Sequence, residues 1–173
     1  MELPPSLWQL RLVAAGYAAV VAASALLIFW RYLQYVWHPQ DAAQYGGMWA
    51  GGDMMLGLFI CFMFLWPTVA LVFVIRKSES FYTTYAKVLI GLSVTGPLAI
   101  GSFFVPLLNQ GYWGDAIFLR VFAIPIVAGV LIFSRSLASF ARARRLISYA
   151  LLIEGLTFVA VGAGLFLKSN GRG

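Results

Sequence analysis

The sequence predicts an all-α integral membrane protein, a single domain of residues 1–173 built as a bundle of five transmembrane helices. Its residues are 62% hydrophobic and only 10% charged, whereas a soluble globular domain has roughly 25% charged residues. The mean hydropathy is high, at +0.87, and the apolar residues are collected into long runs. Five of these runs reach the length of about 20 residues that a helix needs to cross the hydrocarbon core.

The five spans are predicted at residues 12–30, 48–75, 81–108, 116–134 and 146–167. The first resembles a cleaved signal peptide, but its apolar run is longer than the roughly 7 to 15 residues of such a segment. We therefore predict that it is retained as a span. The fourth is barely long enough and carries Arg120 and Pro125, so the count falls to four spans if 116–134 does not cross. The links between the spans are too short to fold as separate domains.

Basic residues near the ends of the predicted spans indicate the orientation. One side of the membrane would carry Arg11, Arg76, Lys77, Arg135, Arg142, Arg144 and Arg145. The other side would carry Arg31, Lys168 and Arg172. Because Lys and Arg concentrate on the cytoplasmic side, we predict a multi-pass protein of the inner (plasma) membrane with its amino terminus in the cytoplasm and its carboxyl terminus outside. The net charge of +6 is interpreted in the same way, and no nucleic-acid partner is expected.

Few residues in the chain suit catalysis or metal binding. The sequence has a single cysteine, Cys61, and a single histidine, His38, which exclude an internal disulfide framework, an iron–sulfur site and a bis-histidine haem within this chain. No histidine lies beside the serines of the spans for a Ser/His/Asp arrangement, and no glycine-rich phosphate loop is present. We therefore expect no cofactor, no metal site and no catalytic residue. An intramembrane enzyme acting on a lipid is the third hypothesis, behind the two given below.

Four ionisable residues lie well inside the predicted spans. Each needs a partner, water or a route to the interface, because a lone charge there costs about 2.5 to 3.5 kcal/mol. Lys87 and Glu154 lie at similar depths, roughly 9 to 12 Å from the cytoplasmic boundary, so they are predicted to pair, unless the Lys87 ammonium instead extends to the headgroups. Asp53 and Arg120 lie roughly 6 to 9 Å from the outer boundary and are predicted to pair there, with Arg31 nearby.

Small and polar residues accompany these charges at helical spacing on the third and fifth predicted spans. The third span carries Lys87, Gly91, Thr95 and Ser102 on one face, and the fifth carries Ala150, Glu154, Thr157, Val161 and Gly164. Small side chains let helices approach closely inside a membrane. We predict that both faces contact other helices rather than lipid.

Two hypotheses about function follow from the buried charges. In the first, the chain is a transport or channel component that acts as an oligomer and holds a polar path for a small solute or ion. The predicted residues of that path are Glu154, Lys87, Asp53, Arg120, Thr95 and Thr157. In the second, the same charges are structural salt bridges in a non-catalytic subunit or assembly element of a larger membrane complex. Both hypotheses predict membrane lipid and either further copies of the chain or other membrane subunits as partners.

Overall fold

The computed structural model of the protein describes residues 6–103 and 112–170. These residues form seven helices, and no strand occurs in the two ranges. The helices are α1 (Leu7–Trp37), α2 (Pro39–Gln44), α3 (Gly46–Ile75), α4 (Glu79–Phe103), α5 (Tyr112–Phe122), α6 (Ile124–Leu137) and α7 (Ala141–Asn170). The predicted all-helical class is confirmed.

Four of the helices, α1, α3, α4 and α7, are long and apolar enough to cross a membrane. The helices α5 and α6 meet the same criterion together, as a pair bent by 47°. The structure therefore has four continuous span-like helices, or five when the bent pair is counted as one span. The last part of the predicted third span, residues 104–108, lies outside the described ranges.

Several helices extend beyond the apolar runs that predicted them. The helix α1 begins at Leu7 rather than at residue 12, because the side chain of Ser6 caps it by accepting a hydrogen bond from the Gln9 amide at 3.3 Å. The helix α7 begins at Ala141, about five residues before the predicted start at 146. An apolar run marks the part of a helix suited to hydrocarbon, whereas the backbone ladder continues to the next cap or break.

The helices divide between Val74 and Ile75 into two compact units. In the first unit, α2 links α1 to α3, and the two long helices contact each other through polar side chains as well as apolar ones. The hydroxyl groups of Tyr17 and Thr68 lie 2.9 Å apart, and Thr68 in turn donates to the carbonyl of Phe64 at 2.7 Å. Because the Thr68 proton is used within α3, Tyr17 is the donor that joins α1 to α3.

In the second unit, α7 packs along α4 and α6, and α5 packs against α4. The buried residues of α4 and α7 recur every three or four positions, which is the spacing of one helix face. In α4 they include Tyr82, Ala86, Leu89 and Ser93. In α7 they are Ala143, Ile147, Ala150, Glu154 and Thr157. Many of these side chains are small, as expected where helices approach closely.

The predicted contact faces are each confirmed only in part, since Val161 is half-buried and Gly164 is exposed on α7, whereas Thr95 of α4 contacts Arg120 of α5. On α7, Ala150, Glu154 and Thr157 are buried as predicted. On α4, Lys87 and Thr95 are exposed, because the face that packs against α7 is the one that begins at Tyr82 and Ala86.

The bent pair α5–α6 runs antiparallel to α4. Arg120 in α5 donates to Thr95 Oγ1 at 2.7 Å, and further along the pair the Ser134 carbonyl accepts from the Tyr82 hydroxyl at 2.5 Å. Residue numbers therefore increase along the pair in the direction in which they decrease along α4. A broken span that follows α4 would run in this direction. The break lies beside Pro125, whose ring nitrogen has no hydrogen to continue the helical ladder. The predicted fourth span thus corresponds to a helix pair bent by 47°, which brings the count to five only if the pair crosses as one span.

Candidate functional site

An ion pair joins α5 to α7 in the interior of the second unit. Arg120 Nη1 donates to Glu154 Oε1 and Nη2 donates to Oε2, both at 2.9 Å. The Glu154 side chain is 1% exposed and the Arg120 side chain is 14% exposed. A bidentate pair of this kind fixes orientation as well as distance. Removing one partner of a buried pair costs about 3 to 5 kcal/mol, because the other charge is left uncompensated.

The rest of the Arg120 guanidinium is bonded to α4. Its Nε donates to Thr95 Oγ1 at 2.7 Å, and Nη2 also donates to the Leu92 carbonyl at 3.2 Å. The Thr95 hydroxyl donates to the same carbonyl at 2.6 Å. Four of the roughly five N–H groups of the guanidinium are thus bonded within the unit. The side chain of Arg120 connects three helices at one point.

Glycine at position 96 makes room for this arrangement. A Cβ atom at Gly96 would lie 3.0 Å from Thr157 Cγ2 and 3.2 Å from Arg120 Nη2, closer than ordinary van der Waals contact. Thr157 itself is buried and donates to the Ile153 carbonyl of its own helix at 2.7 Å. The missing side chain of Gly96 therefore lets α4 approach both α7 and the guanidinium.

The predicted pair of Lys87 with Glu154 is wrong, because Arg120 occupies the carboxylate. Lys87 is exposed on α4 and lines a separate polar groove. The prediction counted depth from the ends of the apolar runs. Because α7 begins at Ala141, Glu154 lies about 20 Å along its helix, and the side chain of Lys87 leans back toward the start of α4.

The predicted pair of Asp53 with Arg120 is also wrong, since each residue binds elsewhere. Arg31 Nε donates to Asp53 Oδ1 at 2.5 Å, and the Tyr35 hydroxyl donates to Oδ2. Arg31 Nη2 donates to the Trp49 carbonyl at 2.9 Å, and the guanidinium carbon lies 4.3 Å from the centre of the Trp49 ring. Hydrogen bonds and a cation–π contact together join the end of α1 to the start of α3.

Two signals in the sequence would have indicated the observed partners. The first is a hairpin register: Arg31 lies about as far before the end of α1 at Trp37 as Asp53 lies after the start of α3 at Gly46, although the predicted span ends did not show this symmetry. Arginine remains charged under all conditions that proteins meet, so Arg120 has a stronger requirement for a buried carboxylate than Lys87, which can extend to the interface.

A second polar contact in this unit was not predicted. The Ser134 carbonyl accepts from the Tyr82 hydroxyl, and Ser134 Oγ lies 2.9 Å from the hydroxyl of Tyr85. All three residues are buried. Two tyrosines three residues apart on one helix face, together with a serine in an apolar run, were the available signal.

The helices and the two ion pairs are those of a multi-pass membrane protein whose span-like helices are joined by charged side chains. No protein-family model matches the sequence, and neither a curated protein nor a solved structure matches the chain. The site itself therefore carries the functional proposal.

Proposed function

We propose that the chain is a non-catalytic helical subunit or assembly element of a larger membrane complex, formed with further copies of itself or with other membrane subunits. The observation that supports it is the extensive internal hydrogen bonding of the Arg120–Glu154 site, in which four guanidinium N–H groups are bonded. The pair uses both carboxylate oxygens, and the hydroxyl groups of Thr95 and Thr157 donate to carbonyls of their own helices. A group that binds and releases a solute or proton needs free hydrogen-bonding capacity. This site is therefore better suited to holding helices together than to binding and releasing a solute.

The exposed apolar surface supports assembly within a membrane. Trp66 of α3 is 82% exposed, and α7 presents a continuous set of large apolar side chains. This set comprises Leu152, Leu156, Phe158 and Val159. In a membrane such surfaces contact lipid or the helices of a partner. The described links before α4 (residues 76–78) and before α7 (residues 138–140) are only a few residues long, which disfavours docking of soluble partners at these two links.

The orientation belongs to the same proposal. We place the amino terminus in the cytoplasm and the carboxyl terminus outside the inner (plasma) membrane. The support is the excess of Lys and Arg on one side, described above.

A transport or channel component is the second candidate, and one observation favours it. Thr95 is exposed, so the polar site that also contains Arg120, Glu154 and Thr157 reaches the surface of its unit within the span. A second copy packed on this surface would enclose a short polar path. Lys87 and Asp53, which were predicted to line the path, belong neither to this polar site nor to the surface at Thr95.

Purification from the native membrane in a mild detergent, followed by native mass spectrometry, tests the first candidate. We expect a defined assembly, either a homo-oligomer or a complex with companions in fixed ratio. Liposomes containing a pH-sensitive dye then test transport, with Glu154→Gln as the variant and Asp41→Asn as a control at an exposed carboxylate. A proton or ion leak that Glu154→Gln abolishes and Asp41→Asn preserves, in an assembly of any size, would overturn the proposal in favour of transport.

A further inference from the structure

A polar groove lies at the ends of α4 and α7 where both helices begin. It has a volume of about 400 Å³ and is lined by Glu79, Ser80, Thr83, Thr84, Lys87 and Arg142. Five of these residues lie on α4, where the spacing from Ser80 through Thr83 and Thr84 to Lys87 places them on one helix face. Arg142 comes from the first turn of α7. The groove is distinct from the Arg120–Glu154 site.

The charges of the groove suit a singly charged anion. Lys87 and Arg142 supply two cations, and Glu79 supplies one carboxylate, which leaves one net positive charge. The starts of α4 and α7 add the partial positive charge of two helix termini. Two hydroxyl groups, from Ser80 and Thr83, are available as donors to oxygen atoms. The Thr84 hydroxyl donates to the Ser80 carbonyl at 3.0 Å.

One of these hydroxyl groups points to a missing ligand. Thr83 is 9% exposed, and its Oγ1 is buried without a hydrogen-bond partner among the described residues. A buried hydroxyl without a partner costs about 1 to 3 kcal/mol, so native proteins rarely retain one without a reason. Because Thr83 lines the groove, rotation of its side chain about the Cα–Cβ bond would turn the hydroxyl toward a ligand oxygen there.

We propose that this groove binds a phosphate group of single negative charge, as found in the phosphodiester headgroup of an anionic phospholipid or in a free phosphate compound. Lys87 provides a point charge and Arg142 a planar set of donors for the phosphate oxygens. Thr83 donates its hydroxyl to one of them. Both helices that form the groove are span-like, so it lies where a lipid headgroup would be within reach.

The test uses the full chain in detergent, stripped of lipid and then mixed with vesicles of phosphatidylcholine alone or with phosphatidylglycerol. Native mass spectrometry measures the retained lipid. We expect selective retention of phosphatidylglycerol, weakened about tenfold by Lys87→Gln or Arg142→Gln. Lys77→Gln and Arg135→Gln remove exposed cations that do not line the groove and should retain lipid like the wild type.

A second arm distinguishes the source of the phosphate. Inorganic phosphate is titrated against the lipid-free protein at constant ionic strength, and the thermal unfolding midpoint is recorded. A rise in the wild type that Arg142→Gln abolishes, without selective retention of phosphatidylglycerol, identifies a free phosphate compound as the ligand. Selective lipid retention identifies the headgroup.

The isosteric variant Thr83→Val separates binding from folding. Removing an unpartnered hydroxyl should leave the unfolding midpoint of the lipid-free protein unchanged or higher, whereas phosphate or lipid binding should weaken severalfold. Arg142 is exposed, so its variant folds even if Lys87→Gln does not. Equal anion binding by wild type, the three groove variants and the two control variants would overturn the proposal.

Discussion

Glu154 on α7 and Arg120 on α5 share two parallel hydrogen bonds of 2.9 Å, with the carboxylate almost completely enclosed. The pair lies where α4, α5 and α7 meet, and the guanidinium also bonds to α4 through Thr95. A single contact therefore fixes the relative height of three helices. Its contribution to stability can be measured separately from any role in assembly or transport.

Replacing Glu154 by glutamine removes the counter-charge of a mostly buried guanidinium. We expect the free energy of unfolding to fall by about 3 to 5 kcal/mol, measured by reversible unfolding in mixed micelles. The control Asp41→Asn alters a carboxylate that is 59% exposed and should change stability by less than about 1 kcal/mol. Equal losses in the two variants would show that the pair does not hold the helices together.

Replacing both members of the pair by leucine should be less damaging than the single replacements suggest. Glu154→Leu and Arg120→Leu each leave one charge unpaired, whereas the double variant leaves none. We expect the double variant to be more stable than the sum of the single losses predicts, by about 1 to 3 kcal/mol. Additive losses in the same unfolding assay would contradict a direct interaction.

Gly96→Ala tests the close approach of α4 to α7. The new methyl group would lie 3.0 Å from Thr157 Cγ2, so we expect destabilisation of about 1 to 3 kcal/mol from overpacking. Gly91→Ala is a matched control, because a Cβ there has no atom within 4 Å. Adding Thr157→Ser, which removes the crowded methyl group, should recover part of the loss. A similar effect of both alanine variants would place the cause in the helix backbone instead.

Asp53→Asn should have a smaller effect than Glu154→Gln. The Asp53 side chain is 41% exposed in its pair with Arg31, and partly exposed pairs contribute up to about 1 kcal/mol. The two variants can be compared in the same unfolding assay, and the expected order follows from burial alone. A larger loss for Asp53→Asn would mean that the contact between α1 and α3 is better shielded than its exposure indicates.

The helical class and the positions of the spans could be predicted because hydrocarbon selects long apolar runs, and that signal is local. The weakest of the predicted spans was also identifiable, since Arg120 and Pro125 belong to the pair of helices that is bent by 47° in the structure. The buried face of α7 was also predictable from Ala150, Glu154 and Thr157. These inferences need only the spacing of residues within one segment.

The partners of the charges could not be predicted from depth, because height along a helix does not determine the direction in which a side chain points. Lys87 was assigned to Glu154 on height alone, although its side chain is exposed and lines the groove with Arg142 from the first turn of α7. Helix length added a further error, since α7 begins well before its apolar run. The direction of each face depends on how the helices pack, which a single segment does not encode.

The order of the two charges along the chain bears on how the protein enters the membrane. Arg120 precedes Glu154 by 34 residues, so the ribosome delivers the cation well before the acid that neutralises it. We expect the bent segment to remain at the translocon or the lipid interface until α7 emerges, after which the two integrate together. Truncation before α7 is thus expected to leave α5 unintegrated and prone to degradation, so membrane integration of α5 would depend on the synthesis of α7.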